Sequence, residues 1–201
     1  MSELALLRAE ALGCRRCPLW RNATQTVFGA GPAPAAMMLV GEQPGDREDV
    51  AGQPFVGPAG QLLDQALAEA GIDRATVYVT NAVKHFKNEP RGKRRLHKKP
   101  DASEIEACRW WLDRERELVR PRLTVALGAT AAAALLKRET TIARLRGRAI
   151  ESESGSLWIT VHPSYLLRLP DETSRQREFV RFVNDLQGAG RWLAQRSAPL
   201  S

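Results

Sequence analysis

Four short and almost unbroken apolar runs decide what this chain can fold into: Met37 to Val40, Val77 to Thr80, Leu123 to Leu127, and Leu157 to Val161. Runs that lack alternation between apolar and polar residues belong to strands buried on both faces, as in a parallel sheet. Segments with helical spacing separate them. Ala59 to Ala70 places Leu62, Leu63, Ala66 and Leu67 on one face and stops before Gly71. Ser103 to Leu118 opens on Ser103 and Glu106, the spacing of a capping box. Thr130 to Leu136 follows Gly128, and Glu172 to Ala194 carries Phe179, Phe182, Val183 and Leu186. A short amphipathic helix over Glu3 to Leu12 precedes all of these. Strands alternating with helices predict an α/β fold: a three-layer α/β/α sandwich around a central, mainly parallel four-stranded sheet. The 201 residues suit one such domain, with a core from about 14 to 186 and a tail over 190–201.

In such sheets the ligand lies beyond the carboxyl ends of the strands. Turn-forming and polar residues follow every predicted strand: Gly41-Glu42-Gln43-Pro44-Gly45-Asp46, then Asn81, then Gly128-Ala129-Thr130, then His162-Pro163-Ser164. An active site is expected at that end.

The net charge is +7, and eight cations between Lys84 and Lys99, opposed by Glu89 alone, account for all of it. A local positive patch of this kind suits a polyanion, because each phosphate contact releases condensed counterions. No run approaches the roughly 18 apolar residues of a membrane span. The first residues lack the charged start and apolar block of a signal peptide. A monomeric, cytoplasmic protein that does not engage membranes is the expectation. The glycines after Val40 match neither the dinucleotide fingerprint nor the P-loop, which sets aside nucleotide-cofactor chemistry.

Individual residues suggest more. Phe55 lies among prolines and glycines, where a ring can stack on a flat base or plug the core. Asn81 offers a donor and an acceptor side by side, the complement of a uracil edge, though a strand-end Asn also makes turns. His162 can donate to a developing anion, and Leu166 and Leu167 beside it can wedge into a base stack; a structural His and a buried pair are the plain alternatives. In Lys93-Arg94-Arg95-Leu96-His97 the cations suit phosphate. A neutral imidazole there is a nucleophile, or one more phosphate contact. Cys14-x-x-Cys17 with His85 and Cys108 could close a four-ligand site, and spacing leaves zinc and an iron–sulfur cluster both open.

Taken in order, Gly41-Glu42 with Pro54-Phe55-Val56-Gly57, Asn81-Ala82-Val83-Lys84, and His162-Pro163-Ser164 resemble the iron–sulfur uracil-DNA glycosylases of family 4. The resemblance runs from about Cys14 to about Leu186. Gly41 to Asp46, and Lys93-Arg94-Arg95-Leu96-His97 in an inserted loop, are similar to the UdgX branch, whose K-R-R-I-H signature here has Leu for Ile. The resemblance implies removal of uracil from DNA, single strands preferred, followed by a covalent bond between His97 and C1′ of the abasic sugar. It implies Glu42, His162 and Asp46 in catalysis beside His97, and Gln43, Phe55 and Asn81 at the uracil. Lys93, Arg94, Arg95, Ser164, Leu166 and Arg168 would hold DNA. A [4Fe–4S] cluster would sit on Cys14, Cys17, His85 and Cys108, with zinc the alternative. A conventional multiple-turnover glycosylase, or a metal-containing nucleic-acid binding module without catalysis, are the competing readings.

Overall fold

A computed structural model describes residues 2–92, 94–138, 140–152 and 155–196. Its elements are α1 (Glu3–Ala11), β1 (Met37–Gly41), α2 (Asp46–Ala51), α3 (Pro58–Glu69), β2 (Val77–Asn81), β3 (Asn88–Arg91), β4 (Arg94–His97), α4 (Ala102–Val119), β5 (Leu123–Leu127), α5 (Ala129–Leu136), α6 (Ile142–Leu145), β6 (Ala149–Ser152), β7 (Gly155–Thr160), α7 (Pro163–Leu167) and α8 (Glu172–Gln195). A 3₁₀ turn spans Pro18–Arg21.

The four predicted strands lie parallel in the order β2-β1-β5-β7. The expected count of four is one short, because β6 adds an antiparallel edge beside β7. It is half exposed and carries Glu151, so it has no apolar run to betray it. Side chains alternate between the two faces as strand geometry requires. Met37, Leu39, Val77, Val79, Val125 and Trp158 meet α3, α7 and α8, whereas Met38, Val40, Tyr78, Ala126, Leu157 and Ile159 meet α4 and α5. Two helical layers thus cover one sheet. Among the described residues no helix is long and apolar enough to cross a membrane.

The registers Gly41↔Asn81, Val40↔Ala126 and Leu127↔Thr160 bring the strand ends into one row. The chain passes from β1 to β2 on one side and later returns to β5 on the other. The order therefore reverses at β1 and β5, and a crevice opens there.

Two local readings are corrected. The α4 capping box is Asp101 with Glu104, not Ser103 with Glu106: Asp101 accepts from the Ser103 and Glu104 N–H groups, and Glu104 returns a bond to the Asp101 N–H. A carboxylate at the helix start also gains from the helix dipole. The basic loop is a hairpin, β3 with β4, pairing Asn88 with His97 and Arg91 with Arg94. Lys93 lies outside the described residues.

Behind the crevice, Lys84 and Glu115 form a fully buried ion pair. Glu115 also accepts from the Gly29 N–H, the Tyr78 hydroxyl and Thr80, while Lys84 Nζ also donates to Thr80 Oγ1 and the Asn81 carbonyl. Burial beside this carboxylate pushes the Tyr78 hydroxyl far above its usual range. Glu115→Ala strands the ammonium in the core and is expected to destabilise the fold by about 3–5 kcal/mol. Urea unfolding measures this, and a loss under about 1 kcal/mol would show that water reaches Lys84.

Candidate active site

The strand ends shape a cleft of about 1610 Å³. It is larger than the roughly 300–1,000 Å³ of ordinary small-molecule pockets. Glu42, Gln43, Asp46, Phe55, Asn81, His97, His162, Ser164 and Arg168 all line it. Residues spread over 127 positions of sequence are thus gathered at the predicted end of the sheet.

Gly41 marks the floor. A β-carbon built there would lie 2.4 Å from Asn81 Oδ1, 2.7 Å from Phe55 Cζ and 3.4 Å from His162 Nε2. Three side chains therefore converge on one point that only a residue without a side chain leaves open. Asn81 is 3 % exposed, with its backbone carbonyl fixed by Lys84. Phe55 adopts φ +58°, a conformation bulky residues rarely take. Helix α3 maintains it: a β-carbon on Gly60 would overlap the Phe55 carbonyl, so the helix start rests directly on that peptide. The Phe55 ring lies near-parallel to the His162 ring, with centroids 6.2 Å apart.

His162 caps α7, and its hydrogen bonds fix its tautomer. The Ser164 N–H donates to Nδ1 at 3.2 Å, with Ser164 Oγ also 2.8 Å away. Nδ1 is therefore the acceptor, and in the neutral ring the proton sits on Nε2, beside Gly41. Burial, then the nearby positive charge of Arg168, push the ring down to about 4. His162 is thus an uncharged donor at neutral pH. A lowered value is held neutral above its midpoint, so activity limited by this group should stay level from pH 8 to about 5 and fall only towards 4. Single-turnover rates across that range test this, and a His162-dependent midpoint near the ordinary 6.5 would mean a solvated ring.

His97 ends β4 on the rim, its ring 6.0 Å from buried Phe86, over which the Arg95 guanidinium also lies at 5.3 Å. Gln43 sets its tautomer. Gln43 Oε1 accepts from the Lys87 N–H at 2.8 Å, and Nε2 donates to the Lys98 carbonyl at 2.8 Å. These partners fix the amide's orientation, so its 2.8 Å contact with His97 Nε2 is a donation to the ring. The Nε2 of His97 therefore presents a lone pair. Gln43, expected at the uracil, lines the cleft, and its largely buried side chain ties the hairpin to β1.

Glu42, expected in catalysis beside His97, lies next to its ring. It faces Nε2 of His97 at 3.7 Å, beyond hydrogen bonding. Its second oxygen accepts from Thr130 Oγ1 at the start of α5. Thr130 lies in the strand-end turn where a site was expected, although no role was assigned to it, and Phe86, against the His97 ring, had no signal beyond its position after β2. Asp46, expected in catalysis, accepts from Arg95 Nε at 2.7 Å, and Asp49 binds the same guanidinium. Asp49 in turn accepts from the Thr24 N–H, so the hairpin is latched to α2. Arg95 is thereby committed to the protein, whereas Arg94 and Arg168 are exposed.

Leu166 does not reach the surface. It lies in helix α7, not a turn, and is fully buried against α3 and α8, while Leu167 points outward and is 45 % exposed. Of the pair expected to wedge into a base stack, only Leu167 has an exposed side chain.

The three cysteines pack in one apolar nest with Phe28, Val83 and Trp111. The Lys84 N–H donates to Cys108 Sγ at 3.2 Å and Trp111 Nε1 to Cys14 Sγ at 3.0 Å. Burial pushes the Cys108 thiol up to about 12. His85 Nε2 meets Thr26 Oγ1, but its Nδ1 is buried without a hydrogen-bond partner. Sulfur atoms supplied with N–H donors and an orphaned imidazole lone pair fit a bound metal group. Among the described residues no three such side chains converge on a single ion.

The model of the uracil DNA glycosylase superfamily matches residues 28–187. A type-4 uracil-DNA glycosylase of Thermotoga maritima is 40% identical over 85% of this chain and 83% of its own length. One from Archaeoglobus fulgidus is 34% identical over 94% of this chain and 95% of its own. A type-5 uracil-DNA glycosylase of Pyrobaculum aerophilum is 33% identical over 76% of this chain and 67% of its own.

Proposed function

This chain belongs to the uracil DNA glycosylase superfamily, and from that premise we propose that it excises uracil from DNA and then bonds covalently to the exposed sugar through His97. The observation that carries the second step is the His97 Nε2 lone pair, held on the rim of the cleft whose floor is Asn81, Phe55 and His162.

A uracil turned out of its strand enters at the Gly41 floor, stacks on Phe55 and is read by the Asn81 amide. Turning the base out costs a few kcal/mol, least in single strands. As the C1′–N1 bond breaks, its electron pair leaves with uracil. The Nε2–H of His162 donates to the resulting anion, and one well-placed donor is worth about 3–4 kcal/mol. The sugar carries oxocarbenium character, which the Glu42 carboxylate stabilises by its charge. The lone pair on His97 Nε2 exchanges the Gln43 N–H for C1′ and forms the new bond. The imidazole becomes cationic, with its remaining proton on Nδ1, and the released uracil anion takes a proton from water. Thr130 holds Glu42, and Arg95 with Asp46 and Asp49 holds the hairpin, so these are positioning residues.

Cys14, Cys17, His85 and Cys108 would hold a [4Fe–4S] cluster, as the resemblance implies. The excision needs no electron, so the group would brace the segment after α1, helix α4 and the segment after β2 against one another. Cys108→Ser is expected to lose visible absorption and thermal stability together; retention of both would remove Cys108 from the ligand set.

Incubation with a uracil-containing single strand, followed by a denaturing gel and assay of free uracil, tests the function. One uracil per protein and a band that survives heat and detergent are expected. Repeated turnover without the band would make this a conventional glycosylase, and no uracil would leave a binding module.

A further inference from the structure

Several cations of the hairpin region are already neutralised within the protein. Arg95 pairs with Asp46 and Asp49, Lys87 with Asp101 and Glu104, and Lys98 with Glu89. The chain nevertheless has a second group of arginines that the proposed reaction does not use. Arg15, Arg16 and Arg21 are all exposed, and none forms an ion pair with a carboxylate among the described residues. Indole rings hold them instead. Arg15 lies over Trp20 at 4.7 Å and Arg21 over the same ring at 5.8 Å, while Arg16 lies over Trp110 at 5.1 Å. Trp110 is 37 % exposed and stands edge-on to buried Trp111, which anchors it. Arg16 Nε is further fixed by the Ala107 carbonyl.

A guanidinium lying on an indole keeps its N–H fork directed outward, and part of its ordering entropy is already lost before a phosphate arrives. This strip also adjoins the cleft's own hairpin. The Asn22 carbonyl accepts from Asn88 Nδ2 at 3.0 Å, and Asn88 is the first residue of β3. Trp20 is two residues from Asn22, within about 7 Å along the chain. A strand leaving the hairpin on this side meets Arg21 and Arg15 next.

The geometry points to a second DNA-backbone site: Arg15, Arg16 and Arg21, laid flat by Trp20 and Trp110, bind phosphates of the strand beyond the flipped nucleotide. This rests on the DNA reading of the cleft and extends the footprint past it. A solely protective role, in which the arginines cover the indoles and the cysteine nest, makes the opposite prediction for salt.

The test is binding of single strands about 5 and about 20 nucleotides long, with and without uracil, across a salt series. The variant Arg15→Gln/Arg16→Gln/Arg21→Gln should bind the long strands about tenfold more weakly, with the slope of log affinity against log salt reduced by about 2, three phosphates at about 0.7 each. The short uracil strand, which cannot reach the strip, should react with the variant as with the native protein. Trp20→Ala should produce a smaller loss in the same direction, since it frees two of the three guanidinium groups. An unchanged slope on long strands, with the short strand still reacting, overturns the strip. No reaction of the native protein with the short uracil strand overturns the reading of the cleft instead. If the triple variant does not fold, Arg21→Gln alone, outside the cysteine pair, should reduce the slope by about 0.7, and no reduction is equally fatal.

Discussion

Alanine at position 41 is expected to lower uracil excision at least about 100-fold, a large effect for one added methyl group. The new carbon would sit 2.4 Å from Asn81 Oδ1 and 2.7 Å from Phe55 Cζ. Neither can retreat easily. Asn81 closes β2 in register with Gly41 and is nearly inaccessible. Phe55 is held in a left-handed backbone conformation by the start of α3. Relief must come from side-chain rotation, which moves the edge-reading amide and the stacking ring away from the base. His162 Nε2, 3.4 Å from the same point, loses its aim as well. Misplacement by about 1 Å is enough to cost about 100-fold in rate. The fold should survive, because overpacking of this size typically costs about 1–3 kcal/mol. Excision rates measured beside urea unfolding separate the two effects. A variant that is stable and still excises at near-native rate would mean that uracil does not rest on Gly41.

Replacing His97 with serine should abolish the heat-stable adduct, because a hydroxyl on a shorter side chain neither reaches C1′ nor carries a basic lone pair. Uracil release should persist, since Asn81 ends β2, Phe55 lies just before α3 and His162 caps α7, none of them on the hairpin. Water would then complete the reaction and turnover would appear. The Gln43 amide, no longer engaged by Nε2, still ties the hairpin through Lys87 and Lys98, so the rim should remain in place. Denaturing gels give the adduct and a uracil assay gives turnover. A His97→Ser protein that still crosslinks would require a different nucleophile.

The sheet was legible because its four parallel strands are buried on both faces, and burial of that kind leaves an apolar run in the sequence. The elements that escaped notice lack such a run. Strand β4 is Arg-Arg-Leu-His and mostly solvated, and α2 opens Asp-Arg-Glu-Asp. Both are fixed by contacts between distant residues, such as Arg95 with Asp46, 49 positions apart. Gln43 illustrates the same limit within the site. A glutamine in a strand-end loop suits ligand recognition, yet its side chain bonds to partners 44 to 55 positions away, which the local sequence does not reveal. Leu166 and Leu167 read alike until a helix sends one inward and the other out. The histidines were easier, because each lies next to a strand end or a cation run. Their tautomers were not, since Ser164 and Gln43 determine them.

The most direct measurement is to digest the native protein after reaction with a uracil-containing single strand and to locate the sugar remnant by mass spectrometry. The remnant should be on His97 alone, at one per chain. A remnant on any other side chain, or complete release of uracil with His97 unmodified, would contradict the account.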